Sequence, residues 1–171
     1  MIATSVTLIG MPGVGKSTVG VLLAKKLALP FVDTDLLFQV RYGQPLQKLL
    51  TISGRDAFLA AEEEVLLSLD PTPTVIATGG SAIYSDKGIT ALKSRGPLVW
   101  LDLPWPQLLP RLGNLDQRGV VRGADEEIAD LAIARLPLYS AVADLRIAVE
   151  GFTPSEIVMT IVARLSSGKD P

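Results

Sequence analysis

The chain contains no cysteine and no histidine in 171 residues. These two absences exclude disulfides, thiolate and imidazole metal sites, cysteine or Ser–His nucleophile systems, and histidine acid–base chemistry. Chemistry has to rest on Asp, Glu, Lys, Arg and hydroxyl groups. An excess of one charge is also missing. The 16 Lys and Arg against 18 Asp and Glu leave a formal −2, so no general field draws nucleic acid or an anionic membrane surface. The apolar runs are of strand length and too short to span a bilayer. No basic stretch precedes the first apolar residues, which predicts that no signal peptide is present, and a cytoplasmic protein without membrane or nucleic-acid partners is expected. There is no internal repeat, low-complexity tract or linker. The length suits one α/β domain over residues 1–171 with its own core, and the absence of a coiled-coil pattern or a large apolar stripe predicts a monomer.

What is present is concentrated near the N-terminus. Leu8-Ile9-Gly10-Met11-Pro12-Gly13-Val14-Gly15-Lys16-Ser17-Thr18 contains G-x-x-x-x-G-K-[ST] in full, the pattern of a Walker A phosphate-binding loop. Gly13 and Gly15 let the backbone curl so that successive N–H groups face phosphate oxygens, Lys16 neutralises β/γ charge, and the Ser17 hydroxyl reaches Mg²⁺. The apolar run Val6–Ile9 before it and the helical periodicity from Thr18 to Leu27 after it supply the strand, loop and helix that the motif requires. The helix N-terminus adds its own positive end. The predicted nucleotide-binding residues are Gly13, Val14, Gly15, Lys16, Ser17 and Thr18.

Four further strands are expected at Phe31-Val32, Thr74–Ala77, Pro97–Leu103 and Leu145–Val149. Helical patterns fill the intervals. One runs from 36 to 69, interrupted at Gly43-Gln44-Pro45 and Ser53-Gly54; one is capped by Asp86 and continues through Lys93; one spans Trp105 to Leu112. The next starts at Asp125 and ends near Ala134, with Pro137 marking a bend, and the last is opened by Pro154. Residues 113–124 hold three glycines and little periodicity, and read as a mobile lid. Strands alternating with helices predict a parallel sheet with helices on both faces, and ligands gather beyond the carboxyl ends of such strands. Asp33 to Asp35 and Gly79 to Ser81 follow strand ends and can share one cleft with the phosphate loop.

Phosphoryl transfer needs charge neutralisation, in-line positioning and a group that takes the acceptor's proton. In Asp33-Thr34-Asp35 the two carboxylates are two residues apart and face one side if the segment is extended. Asp35 then orients or deprotonates the acceptor hydroxyl while Asp33 serves the metal. The alternative for Asp35 is a cap on the following helix. Arg118, in the glycine-rich loop, can close a guanidinium onto the transferring group, and Arg111 can lie along adenine. Each arginine taken alone also fits a solvated surface side chain.

These residues together resemble the shikimate kinase family, small P-loop enzymes related in fold to nucleoside monophosphate kinases. The resemblance covers nearly the whole chain and rests on Gly10 to Thr18, Asp33-Thr34-Asp35, Gly79-Gly80, Arg111 and Arg118 at family spacing, and Arg135-Leu136-Pro137-Leu138-Tyr139. It implies a three-layer α/β/α fold with a five-stranded parallel sheet, with ATP and Mg²⁺ as cofactors. It also implies transfer of the ATP γ-phosphate to the 3-hydroxyl of shikimate, in aromatic amino-acid biosynthesis. By resemblance Lys16, Asp35 and Arg118 are catalytic, Ser17 and Asp33 serve the metal, and Arg111, Arg118 and Pro154 complete the nucleotide site. Asp35, Gly79, Gly80, Ser81 and Arg135 bind the acceptor, with 36–69 as the acceptor-binding helical region.

Three positions depart from the family pattern. Its G-E-x-x-F-R-x-x-E segment reads Gly54-Arg55-Asp56-Ala57-Phe58-Leu59-Ala60-Ala61-Glu62 here, so Leu59 stands where the family has a carboxylate-gripping arginine. A guanidinium lost from such a site removes about 1.5–3 kcal/mol. Arg55, four residues earlier, would lie on the same face of a continuous helix and reach the same anion; otherwise Arg135 serves it alone. Ser81 replaces the third glycine of a turn, and Gly119 replaces a proline after the lid arginine. Three readings therefore stand: a shikimate kinase with a rearranged carboxylate grip, a related kinase of another small hydroxylated metabolite, and a non-catalytic nucleotide-binding module.

Overall fold

The computed structural model describes residues 4–112, 120–121 and 128–167. Its strands are β1 (Val6–Ile9), β2 (Phe31–Asp33), β3 (Val75–Ala77), β4 (Leu98–Asp102) and β5 (Leu145–Ala148), paired in the order β2-β3-β1-β4-β5 with every neighbour parallel. Val6, Leu8 and Ile9 of β1, all of β3, and Leu98 and Val99 of β4 are buried. That burial explains why these strands read as apolar runs without alternation, since both faces of a parallel sheet are covered. The edge strand β5 alternates instead, with Arg146 exposed and Ile147 buried.

The helices are α1 (Lys16–Leu27), α2 (Thr34–Tyr42), α3 (Leu46–Leu67), α4 (Asp86–Arg95), α5 (Trp105–Leu112), α6 (Ile128–Val142) and α7 (Pro154–Ser167), with a 3₁₀ turn at Ala82–Tyr84. Helix α1 packs on α7, and α3 packs on α2 and α4. The expected five-stranded parallel α/β architecture is the one observed. A large apolar core surrounds the sheet, and a separate small cluster of Phe38, Leu46, Phe58, Val65 and Val121 lies beneath α2 and α3. Phe38 meets Phe58 edge to face at 4.9 Å between ring centres.

Local signals account for most boundaries. Gly43 ends α2 at φ 65° and its N–H bonds to the Gln39 carbonyl, while Gly54, at φ 77° and ψ 170°, breaks α3 internally. Two expectations are corrected. Ser85, not Asp86, caps α4, because its shorter side chain accepts from the Gly88 N–H while Asp86 is already helical. Helix α6 does not end near Ala134 but runs through Pro137 to Val142. The carbonyl that Pro137 leaves unbonded belongs to Ile133, on an exposed side of the helix where water can take it. The expected start at Asp125 lies outside the described residues. Among the described residues no helix is long and apolar enough to cross a membrane.

Candidate active site

The loop between β1 and α1 has the geometry that its glycines predict. Gly13 and Gly15 adopt φ 79° and 107°, in the left-handed region that glycine enters without penalty. A Cβ on Gly15 would meet nothing within 4 Å, so conformation rather than crowding dictates that residue. The ammonium of Lys16 is buried and donates to the carbonyls of Gly10 at 2.7 Å and Met11 at 2.9 Å. It thus spans the loop that phosphate oxygens would enter.

At the end of β2 the two aspartates divide their work. Asp33 caps α2, its Oδ1 accepting from the backbone N–H groups of Asp35 at 3.0 Å and Leu36 at 3.3 Å, while its Oδ2 accepts from the Ser17 hydroxyl at 2.6 Å. The cap is therefore Asp33, and Asp35 keeps its carboxyl for the cleft. Burial pushes Asp35 up to about 6, with Lys16 opposing and Asp33 reinforcing the rise.

Beyond β3 the chain passes between acidic and basic groups at very close range. A Cβ on Gly79 would fall 2.5 Å from both Asp35 Oδ1 and Glu62 Oε1, and one on Gly80 would fall 2.8 Å from Pro12 and 2.9 Å from Arg135 Nη1. A methyl group in either place would force these neighbours to shift. Ser81 donates to Glu62 Oε2 at 2.6 Å. Burial raises Glu62 to about 7, against the Ser81 bond and with help from Asp35, while Arg135 and Lys16 pull it down. Arg135 is 1% exposed and is held by two bonds, Nη2 to the Val121 carbonyl at 2.7 Å and Nε to the Tyr84 hydroxyl at 3.3 Å. Tyr139 donates to the Gly80 carbonyl at 2.7 Å, and its burial raises the phenol above its ordinary value.

A cleft of about 590 Å³ gathers Gly13, Gly15, Lys16, Ser17, Thr18, Asp33, Asp35, Gly80, Ser81 and Arg135. Gly79 is placed by its Asp35 and Glu62 neighbours. Val14 is buried under the loop. Arg55, Arg111 and Pro154 do not line the cleft, although the Arg111 carbonyl comes within 3.2 Å of the Cβ position of Gly13 and so sits beside the phosphate loop. Arg118 lies outside the described residues, as does most of 113–124. Arg55 follows the break at Gly54, so Arg55 and Leu59 share one helical stretch, and the Arg55 guanidinium stands 5.6 Å from the Tyr84 ring centre. A second cavity of about 210 Å³ includes Leu59, Glu62, Ser81 and Tyr84.

Glu62 and Tyr84 were not identified as site residues from the sequence. The signal for Glu62 was available: Phe58, Glu62, Val65 and Leu66 are the buried stripe of α3, and a lone acid at a core position needs a reason. Tyr84 carries no such signal. The donor set at Ser17 and Asp33 is hard oxygen, as Mg²⁺ prefers. Among the described residues no group of three or more acids is placed to hold a metal ion.

The sequence-family comparison agrees with this geometry. The family model described as shikimate kinase matches residues 12–166. A shikimate kinase of Rhodococcus jostii is 32% identical over 167 residues, covering 96% of this chain and 99% of that one. One of Thermodesulfovibrio yellowstonii is 35% identical over 171 residues, with 96% and 98% covered. The structure of shikimate kinase from Acinetobacter baumannii in complex with shikimate superposes with a TM-score of 0.90 at 29% identity, over 98% of this chain and 96% of that chain. With its phosphate loop, its paired aspartates and its buried Arg135 arranged around one cleft, this chain belongs to the shikimate kinase family.

Proposed function

We propose that this kinase transfers the γ-phosphate of ATP to the 3-hydroxyl of shikimate, giving shikimate 3-phosphate and ADP. The observation that carries the reading is the position of Asp35: a half-buried carboxyl with Lys16 and Asp33 on one side and the bare backbone of Gly79 on the other. The acceptor hydroxyl gives its proton to Asp35 as its oxygen forms the new bond to phosphorus, and the bond from phosphorus to the bridging oxygen of ADP breaks. Lys16 exchanges the Gly10 and Met11 carbonyls for phosphate oxygens. Mg²⁺ bound through Ser17, with Asp33 behind it, would neutralise charge on the β- and γ-phosphates. Arg135 and Arg55 take the acceptor carboxylate, and Gly80 and Ser81 its ring.

The same reading gives residues 36–69 to the acceptor and 113–124 to a lid carrying Arg118, while Arg111 and Pro154 flank adenine. It describes a single-domain, monomeric, cytoplasmic enzyme without nucleic-acid or membrane partners, and the near-neutral charge and the site built within one chain support it.

The test is ADP formation from MgATP with saturating shikimate, run beside a no-acceptor control and quinate, gluconate and homoserine. Shikimate-dependent turnover is expected. Turnover with another compound alone would replace the acceptor, a reading that Leu59 and the 210 Å³ cavity beside it favour. No turnover with any of them would leave a nucleotide-binding module.

A further inference from the structure

Two guanidinium groups stand at one tyrosine ring beside the acceptor end of the cleft. The Arg135 guanidinium lies 5.2 Å from the Tyr84 ring centre and that of Arg55 lies 5.6 Å from it, so the two cations are no more than about 11 Å apart. Among the described residues neither forms an ion pair. Like charges repel, and each guanidinium here is attracted by the electron-rich ring, with Glu62 and Glu63 along the same cavity. The two are held differently. Arg135 is buried and fixed by the Tyr84 hydroxyl and the Val121 carbonyl, whereas Arg55 is exposed and has the ring alone. Tyr84 is half-buried at the end of a 3₁₀ turn that begins one residue after Ser81, and it borders the cavity that Leu59 leaves open.

We propose that Tyr84 is a positioning residue that seats Arg55 beside Arg135, so that a fixed and a movable guanidinium form one subsite for the acceptor's carboxylate. The inference rests on the reading of the acceptor as shikimate. The ring gives Arg55 a parking place within side-chain reach of the anion, and the carboxylate gives both guanidinium groups a further partner. Leu59, apolar and one turn along the same helical stretch, does not compete for the ring or the anion. Tyr84 itself touches no reacting atom and acts through the two arginines.

The experiment compares wild type, Tyr84→Phe, Tyr84→Ala, Arg55→Ala and the Arg55/Tyr84 double alanine variant in steady-state turnover. Shikimate, its uncharged methyl ester and ATP are each varied. Tyr84→Ala and Arg55→Ala are each expected to raise the shikimate KM about fivefold or more, with the ATP KM moving less than about twofold. The double variant should be little worse than either single one, because both remove the same seat. Tyr84→Phe keeps the ring and should fall between wild type and Tyr84→Ala. The KM for the methyl ester should be insensitive to all four changes, which a merely structural role for Tyr84 would not produce.

An unchanged shikimate KM in Arg55→Ala, whose exposed side chain tolerates truncation, overturns the proposal even if Tyr84→Ala fails to fold. Fully additive losses overturn it too. Absence of shikimate turnover in the wild type would instead overturn the acceptor assignment, and this inference with it.

Discussion

The hydroxyl of Ser81 donates to Oε2 of Glu62 at 2.6 Å, giving a side-chain donor to a carboxyl that is 5% exposed. This bond does not offset burial, which lifts Glu62 from 4.5 to about 7. A carboxyl with a raised folded value keeps its proton in the folded protein at pH values where the unfolded chain has lost it. Stability therefore falls as pH rises from 4.5 to about 7 and levels off above. Asp35 contributes the same sign up to about 6. For the ligand-free protein the Glu62 contribution should be on the order of 3 kcal/mol, or about 6–12 °C in Tm. Glu62→Gln keeps an acceptor for Ser81 and removes the ionisation, so its Tm should vary less over that window. An identical pH slope in the variant would show that Glu62 does not ionise there.

Lys16→Ala and Asp35→Asn should each lower turnover by about 10²–10⁴-fold while leaving the fold intact. Asp35→Asn should be at least as stable as wild type above pH 6, since it removes a buried ionisation. In wild type, kcat/KM should fall below a pH near 6 as Asp35 takes up its proton. Near-normal turnover in either variant would remove that residue from the mechanism.

Leu59→Arg should lower the shikimate KM by about three- to tenfold, with little effect on ATP. The new side chain has the 210 Å³ cavity to occupy and the carboxylates of Glu62 and Glu63 along it. Kinetics that match wild type would mean that Arg135 and Arg55 already serve the anion in full.

Gly79→Ala is the sharpest steric test. Its methyl group would lie 2.5 Å from both Asp35 Oδ1 and Glu62 Oε1, so the half-buried carboxyl of Asp35 and the buried one of Glu62 have to move at once. A loss of about 1–3 kcal/mol in stability and at least about 100-fold in kcat/KM is expected. An active, stable Gly79→Ala protein would contradict the packing described around that residue.

The phosphate loop and the strands were legible because their signals are local: positive φ at Gly13 and Gly15 and doubly covered strands leave marks in neighbouring residues. The convergence of Ser17 and Asp33 followed from strand order and could be anticipated. The division of labour between Asp33 and Asp35 could not, since either side chain satisfies a helix N-terminus and only the three-dimensional placement of Ser17 decides. Ser85 and Asp86 posed the same ambiguity at α4. Pro137 misled because its effect depends on what surrounds the carbonyl four residues earlier. Tyr84 was invisible, because its partners Arg55 and Arg135 are 29 and 51 residues away.

The small apolar cluster of Phe38, Leu46, Phe58, Val65 and Val121 stands apart from the core around the sheet. Helices α2 and α3 therefore rest on four buried side chains of their own together with Val121, and breaking that cluster leaves β1, β3 and β4 covered. Backbone amides of residues 34–58 should exchange with solvent deuterium through a local opening of lower free energy than the one that releases the strands. The same partition lets side chains packed on the small cluster, such as Leu59, change without disturbing the core around the sheet.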